Sequence, residues 1–211
     1  MQCDTKKKLL DNAERLFAQG GVHATSIREV THAARVNVAS INYHFGSKAE
    51  LIAQVIERRL VPLNKARTER LLQVKLSAEA QGCRPCVDNL LSALIEPSFE
   101  FVMNLPESQY FFELVSRALG GSDAQVKVVF WEQFEPMFSL VQDCMHTALP
   151  ELPLSVLQWR LHFAVGALHS ALRMLGQNES ELGNNWDANN TPAMMETLLA
   201  FISSGMREPY L

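Results

Sequence analysis

The sequence predicts an all-α protein, and three observations lead to this fold class. Apolar residues recur at steps of three or four along most of the 211 residues, as on the buried face of an amphipathic helix. Glycine and proline separate these stretches, and no stretch shows the strict alternation of a half-buried strand. A charged fraction of 20% and a hydrophobic fraction of 47% are typical of a globular chain. We therefore expect about nine helices.

Four of these helices fall in the first 60 residues. Ser26 and Glu29 form a capping-box pattern, Asn37 is a favourable N-cap, and Ser47 with Glu50 repeats the capping box. These signals predict a first helix that ends at Gly20-Gly21, a second over 26–34, a third over 38–44 and a fourth that begins at 47.

Five further helices are expected in the remainder of the chain. The predicted helices lie near 84–105, over 106–119, from 122 onwards, over 153–175 and from 191 to the C-terminal end. Pro62 is expected to kink or break the fourth helix, and Pro97 and Pro136 are expected to bend theirs. The polar stretch 177–190 predicts a loop.

The charges divide the chain into a basic and an acidic part. Residues 1–75 hold 13 Lys and Arg against 7 Asp and Glu, whereas the remainder holds 6 against 16, for a net charge of -4. A basic N-terminal part favours a polyanionic partner. The sequence contains no apolar run long enough to span a membrane and no signal-peptide pattern, so we expect a cytoplasmic protein without membrane contact.

The segment 25–50 predicts a helix-turn-helix. Its two short helices are unstable alone and must share a core, for which the apolar residues are Ile27, Val30, Ala34, Val36, Ile41 and Phe45. This geometry places a second helix in the major groove of double-stranded DNA. The alternative is a helical pair that never contacts DNA. The predicted DNA-binding residues are Thr25, Arg28, Arg35, Asn37, Val38, Ala39, Asn42, Tyr43, His44 and Lys48.

The residues of this outer side suit different parts of DNA. Asn42 can bind adenine, and Val38 and Ala39 can contact a thymine methyl group. Lys48 begins a helix, where free backbone N–H groups already favour a phosphate. Together they favour a DNA-reading surface.

These residues resemble the TetR family of bacterial transcriptional regulators. The similarity lies in Leu10-x-x-Ala13-x-x-x-Phe17, in Thr25-Ser26-Ile27 and above all in the stretch Asn42–Lys48, and it covers residues 5–60. The resemblance implies a DNA-binding domain over 1–47 and a helical domain over 48–211 that dimerises and binds a small molecule. Arg35 stands where the family usually has glycine, so either the turn differs or Arg35 gains a phosphate contact.

The second part resembles the fatty-acid-responsive PsrA-type branch of this family, in Trp159-Arg160-x-His162-Phe163-x-x-Gly166 and around Gly205-Met206-Arg207. The resemblance implies a long-chain fatty acid or acyl-CoA as effector; a drug or aromatic metabolite, or no effector at all, are the alternatives. The aromatic and Met positions are ordinary core or the lining of an apolar cavity. The predicted ligand-binding residues are Phe99, Met103, Phe111, Arg117, Phe130, Phe134, Phe138, Trp159, His162 and Phe163, with Arg160 and Arg173 as further candidate cations.

The last two helices predict a homodimer interface. The helix over 153–175 is apolar on two faces, so it is buried twice or contacts a partner. The predicted interface residues are Leu161, Gly166, Ser170, Met195, Leu198 and Ile202. A two-fold dimer would read a palindromic operator.

Nothing in the sequence predicts an enzyme, a cofactor or a metal. No nucleophile and base, carboxylate pair or complete zinc pattern is present. The Cys83-x-x-Cys86 motif lacks a βαβ context, so we interpret it as a coincidence rather than a redox switch.

Overall fold

Nine α-helices make up the described part of the chain, which contains no strand. The computed structural model describes residues 2–105, 107–120, 123–175 and 190–210. The predicted all-α fold class is confirmed. The predicted loop over 177–190 lies outside the described residues except for Asn190, and so do the predicted helix openings at Pro106 and Ser122.

The helix bounds are α1 Gln2–Gly20, α2 Ile27–Ala34, α3 Ala39–His44, α4 Lys48–Ala80, α5 Val87–Asn104, α6 Ser108–Leu119, α7 Ala124–Ala148, α8 Leu154–Met174 and α9 Thr191–Arg207. Of the two outcomes predicted for Pro62, the break does not occur, because α4 continues through it. Leu60 and Leu63 are both buried, so the apolar stripe persists across the proline. Their burial outweighs the loss of one backbone hydrogen bond.

The helices form two compact units. The first comprises Met1–Pro62 and Glu107–Phe134, and the second comprises Leu63–Pro106 and Glu135–Leu211. Helix α6 and the beginning of α7 thus belong to the first unit, although the sequence analysis assigned them to the second domain. The functional boundary between residues 47 and 48 stays a prediction.

A buried carboxylate joins α1 to α4 in the first unit. Glu14 is only 1% exposed, and it accepts hydrogen bonds from the guanidinium groups of Arg58 and Arg59. Arg58 also donates to Asp11, across 2.7 Å. Because each of these charges has an opposite partner, the site is neutralised within the unit.

The second unit packs α5, α8 and α9 against one another. The guanidinium of Arg207 donates to the Asp88 carboxylate across 2.6 Å, and Arg160 donates to the carbonyl oxygen of Met206 across 2.9 Å. These contacts fix the C-terminal end of α9 to α5 and α8. Among the described helices, none combines the length and hydropathy needed to cross a membrane.

Candidate nucleic-acid interface and ligand-binding residues

Helix α2 begins at the predicted capping box. The backbone N–H of Glu29 donates to the Ser26 hydroxyl across 3.2 Å, and the Ser26 backbone N–H donates to the Glu29 carboxylate across 2.6 Å. The bond from the Ser26 backbone is the main reason why the pKa of Glu29 is lowered. This reciprocal cap fixes where the helix starts.

The turn between α2 and α3 is left-handed at Arg35. Its φ of 55° and ψ of 45° are values that glycine adopts without strain. The turn is nevertheless closed, because the Arg35 N–H donates to His32 and the Val36 N–H donates to Thr31. Of the two alternatives for Arg35, a different turn is therefore excluded. Arg35 is exposed.

Helix α3 has one buried and one exposed side. Ile41 is fully buried, and the Asn37 side chain accepts a hydrogen bond from the Ala39 N–H across 2.8 Å. Asn37 thus binds the first turn of α3 from one position before the N-cap residue, which is Val38 and makes no side-chain capping bond, so the predicted N-cap lies one residue too early. The predicted outer side is exposed: Val38 is 44% and Tyr43 71% exposed, and Ala39 and Asn42 lie beside them in solvent. Side chains that can contact bases thus share one accessible surface.

The remaining predicted DNA contacts differ in accessibility. Arg28 is exposed, whereas His44 is half-buried with its ring edge-on to Tyr43, 5.0 Å between centroids. Lys48 is half-buried at the start of α4. Thr25 is only 6% exposed and its hydroxyl donates to the Gly21 carbonyl oxygen across 2.9 Å. The Thr25 hydroxyl therefore stabilises the loop before α2 and is not directed to solvent.

The predicted ligand-binding residues are divided between the two units, and their role stays a prediction. Four of them belong to the first unit, namely Phe111, Arg117, Phe130 and Phe134. The other six belong to the second unit, namely Phe99, Met103, Phe138, Trp159, His162 and Phe163. Within each unit, buried aromatic rings such as Phe111 and Phe99 are ordinary core.

Arg117 binds the C-terminal end of α1. Its Nε donates to the carbonyl oxygen of Ala18 across 2.9 Å, and its Nη2 donates to that of Gln19 across 3.1 Å. These are terminal carbonyl groups of α1, which have no partner within their own helix. The Asp123 carboxylate also accepts a hydrogen bond from the Val22 N–H, across 3.2 Å, in the loop after α1. That Arg117 contacts a ligand stays a prediction.

Comparison with known proteins identifies the family. A model described as bacterial regulatory proteins of the tetR family matches residues 9–55. A second, described as the tetracyclin repressor-like C-terminal domain, matches residues 92–205, which is more than half of the chain. The chain belongs to the TetR family. It is a TetR-family transcriptional regulator with an N-terminal DNA-binding region, and it is not an enzyme.

Curated relatives match a short part of this chain, whereas solved structures match almost all of it. The transcriptional regulator AcrR of Shigella flexneri is 41% identical over 54 residues, which cover 26% of this chain and 25% of AcrR. The chain thus matches its curated relatives over about a quarter of their length. The solved structure of the fatty acid degradation regulator FadR from Bacillus halodurans matches 97% of both chains with a TM-score of 0.67 and 14% identity.

A second solved structure agrees. The TetR-family regulator PfmR from Thermus thermophilus covers 96% of this chain and 99% of its own, with a TM-score of 0.59 and 16% identity. At these identities the structural likeness concerns the fold alone.

In this TetR-family chain, the two apolar faces of α8 have different environments. Leu161 is fully buried, and Leu198 and Ile202 of α9 are 9% and 4% exposed, so these three predicted interface residues pack inside the protomer. Gly166 and Ser170 are exposed as an interface requires, and Met195 is half-buried. The sequence could not decide which of two apolar faces turns inwards.

The exposed face carries large aromatic side chains. Trp159, Phe163 and Phe201 are 65%, 67% and 70% exposed. Together with Gly166 and Ser170 they form what we call the outer face. Phe163 and Phe201 also line a surface cleft of about 700 Å³ between α8 and α9. Trp159 and Phe163, which are predicted as ligand contacts, therefore belong to this exposed surface, and their contact with a ligand stays a prediction.

Each candidate cation of the second unit already has a partner. Arg160 is bound to Met206, and His162 hydrogen-bonds the Gln158 carbonyl oxygen through Nδ1 across 2.8 Å. Arg173 also has a partner, so each of these three side chains already makes an interaction within the protein.

One buried cation was missed by the sequence analysis. Arg67 is 5% exposed, and its partners are the carbonyl oxygen of Leu94 and the side chains of Asn64 and Ser98. It occupies a position of the apolar stripe that includes Leu63 and Leu71, where a charged residue is unexpected. A charged residue within this apolar stripe is the feature of the sequence that could have indicated a buried cation.

The three cysteines whose side chains the structure describes form no site. Cys83 and Cys86 are exposed before α5, and Cys144 is buried. Burial raises the pKa of the Cys144 thiol, which makes it unreactive. Across the part of the chain that the structure describes, no three His, Cys, Asp or Glu side chains are grouped to hold a metal.

Proposed function

We propose that the protein acts in the cytoplasm as a homodimeric repressor that a hydrophobic small molecule releases from a palindromic operator. The observation that carries this proposal is the exposed side of α3, held rigidly by the capped α2 and the closed turn at Arg35. Two short helices braced in this way can present a fixed pattern of side chains to a major groove.

The DNA contacts divide into two kinds. Val38, Ala39 and Asn42 read base edges, because amide and small apolar groups match adenine and the thymine methyl group. The charged and polar side chains around them bind phosphates and set the register: Arg28, Arg35, Asn37, Tyr43, His44 and Lys48. Thr25 is omitted from this set because its hydroxyl is bonded within the loop.

The outer face of α8 and α9 forms the dimer contact. Exposed aromatic residues around small ones are favourable at a two-fold interface, because the aromatic side chain of one copy can cover Gly166 or Ser170 of the other. Leu161, Leu198 and Ile202 support this surface from inside. Two copies would hold two α3 helices about 34–36 Å apart, one turn of DNA.

The proposed effector is a long-chain fatty acid or acyl-CoA. The fold likeness to FadR from Bacillus halodurans and the resemblance to the PsrA-type branch favour this ligand class over a drug or an aromatic metabolite. An effector changes DNA binding only through different affinities for the bound and free forms. A protein that functions only as an interaction module would respond to no small molecule.

The test is a fluorescence anisotropy titration on DNA from upstream of the gene. We expect specific binding that oleate or oleoyl-CoA releases. Specific binding that neither disturbs would contradict the fatty acid effector but keep the regulator. Binding to all DNA alike, with a steep salt dependence, would contradict the operator at this location.

A further inference from the structure

The second unit contains a buried positive charge that only neutral groups hold. The Nε of Arg67 donates to the Leu94 carbonyl oxygen across 3.2 Å, Nη1 to Asn64 Oδ1 across 3.1 Å and Nη2 to Ser98 Oγ across 2.8 Å. Asn64 is 8% exposed and Ser98 is fully buried, so the whole cluster lies between α4 and α5 away from solvent. Among the described residues, no carboxylate lies at salt-bridge distance from Arg67.

Such an arrangement is unusual because a buried charge is normally paired. Burial lowers the pKa of Arg67 to about 10, which still leaves the guanidinium charged at neutral pH. Three neutral acceptors satisfy three N–H groups, but each terminal nitrogen of a guanidinium carries a second N–H. The cluster therefore has both the charge and the donors to receive an anion.

Arg70, on the same helix, forms ordinary salt bridges with carboxylates. Arg70 lies one turn further along α4 and binds two carboxylates, Glu96 across 3.2 Å and Glu100 across 2.7 Å. Both of these acids also belong to α5, so α5 supplies acids to Arg70 but only Ser98 and a carbonyl group to Arg67. The two residues are a matched pair with opposite electrostatic surroundings.

We infer that Arg67 anchors the carboxylate of an acidic effector between α4 and α5. A carboxylate takes two N–H donors of one guanidinium, and it neutralises the charge that Leu94, Asn64 and Ser98 only solvate. A carboxylate is smaller than the phosphates of a coenzyme A ester, so less separation of α4 and α5 is needed for it to reach a side chain that is 5% exposed. The inference rests on the proposed function in assuming that a small-molecule effector enters this unit.

The burial of Arg67 also links binding to conformation. An anion reaches this side chain only when α4 and α5 separate locally, so the ligand favours the form in which they have done so. This difference in affinity between two forms is what an effector needs in order to shift an equilibrium. Helix α4 carries Lys48 at its first turn and Arg67 further along.

The test compares a charged and an uncharged ligand that have the same hydrocarbon chain. Oleate and methyl oleate are titrated into the DNA-free protein by calorimetry, below the concentration at which oleate forms micelles, with oleoyl-CoA and benzoate as further probes. We expect the wild type to bind oleate about tenfold to a hundredfold more tightly than methyl oleate, as for charge-assisted hydrogen bonds. Arg67→Gln should remove this difference, and Arg70→Gln should retain it.

Two further variants guard against a folding defect in Arg67→Gln. Arg67→Lys keeps the charge but loses the fork geometry, so it should retain part of the preference for oleate. Ser98→Ala removes a competing acceptor from Nη2 and should bind oleate a few times more tightly, about threefold. A role of Arg67 in stability alone would change the affinities for oleate and methyl oleate equally.

The outcomes separate the anchor from the effector class. Equal binding of oleate to the wild type and Arg67→Gln would overturn the anchor, and so would equal binding of oleate and methyl oleate, while the fatty acid effector would stand. Binding of benzoate but not oleate, with dependence on Arg67, would support the anchor and overturn the fatty acid. Preference for oleoyl-CoA over oleate, or no binding of any probe to a protein that still binds DNA, would overturn the anchor.

Discussion

Glu14 and Arg67 are both buried charges, yet their surroundings are opposite. Glu14, in the first unit, is 1% exposed and lies against Arg58 and Arg59, so the carboxylate is neutralised by its own unit. Arg67, in the second unit, is 5% exposed and is bound by Asn64, Ser98 and a carbonyl group. The comparison indicates that the charge of Glu14 is neutralised within its own unit, whereas Arg67 retains a charge that a ligand can neutralise.

The exposed surfaces of the two units also differ, in the polarity of their side chains. The first unit exposes polar and small side chains on α3, among them Asn42 and Tyr43, which suit DNA. The second unit exposes Trp159, Phe163 and Phe201, which suit an apolar partner. Each of the following predictions changes one side of this comparison.

The largest effect is expected at Glu14. Glu14→Gln should lower the free energy of unfolding by about 3–5 kcal/mol, because it leaves two guanidinium groups without their shared carboxylate. Urea unfolding followed by circular dichroism measures this loss. Asp4→Asn on the same helix is the control, since Asp4 and Lys8 form an exposed pair that contributes little. A variant as stable as the wild type would mean that the buried ion pairs do not join α1 to α4.

The next effect concerns the outer face. Phe163→Ala should weaken the dimer by about 2–4 kcal/mol, the range for an aromatic anchor at the centre of an interface. Sedimentation velocity over a dilution series measures the dimer dissociation constant. Met103→Ala removes another exposed apolar side chain of the same unit and should leave association unchanged. A dimer indifferent to both changes would place the interface elsewhere.

A smaller and more specific effect is expected on α3. Asn42→Ala should cost about 1–3 kcal/mol at one base pair, because it removes a hydrogen-bonding pattern that matches adenine. Lys48→Ala should instead weaken binding to all sequences and reduce the salt dependence. Competition with operator variants in which one base pair is changed separates the two patterns. Equal loss on specific and non-specific DNA in the Asn42 variant would contradict its role in base reading.

The features predicted most accurately from the sequence are hydrogen bonds between residues that are close together along the chain. The cap formed by Ser26 and Glu29 and the hydrogen bond from the Ala39 N–H to Asn37 join residues two or three positions apart, so their spacing alone specifies them. Arg35 stands where the resemblance leads one to expect glycine, and it adopts the left-handed conformation that glycine favours, so the turn does not differ. Local hydrogen bonds are therefore readable from order and residue type.

Contacts between distant residues were predicted poorly, for a physical reason. Arg117 binds carbonyl groups almost a hundred positions earlier in the chain, and no periodicity indicates which helix end a cation will meet. Phe163 and Leu161 lie on two apolar faces of one helix, and hydropathy alone gives both faces the same preference for burial. Arg67 was overlooked because charged residues are expected at the surface.

The smallest effect is expected when the buried charge of the second unit is removed. Arg67→Met should change the free energy of unfolding by less than about 1 kcal/mol, because an apolar side chain avoids the cost of burying a charge while Asn64 and Ser98 lose a donor. Urea unfolding under the conditions used for Glu14→Gln measures the contrast between the two buried charges. A loss as large as that of Glu14→Gln would show that the neutral cluster is a structural joint like the ion pairs of α1 and α4. A small loss leaves the charge without a structural reason to be buried, which strengthens the case that it is kept for an anion.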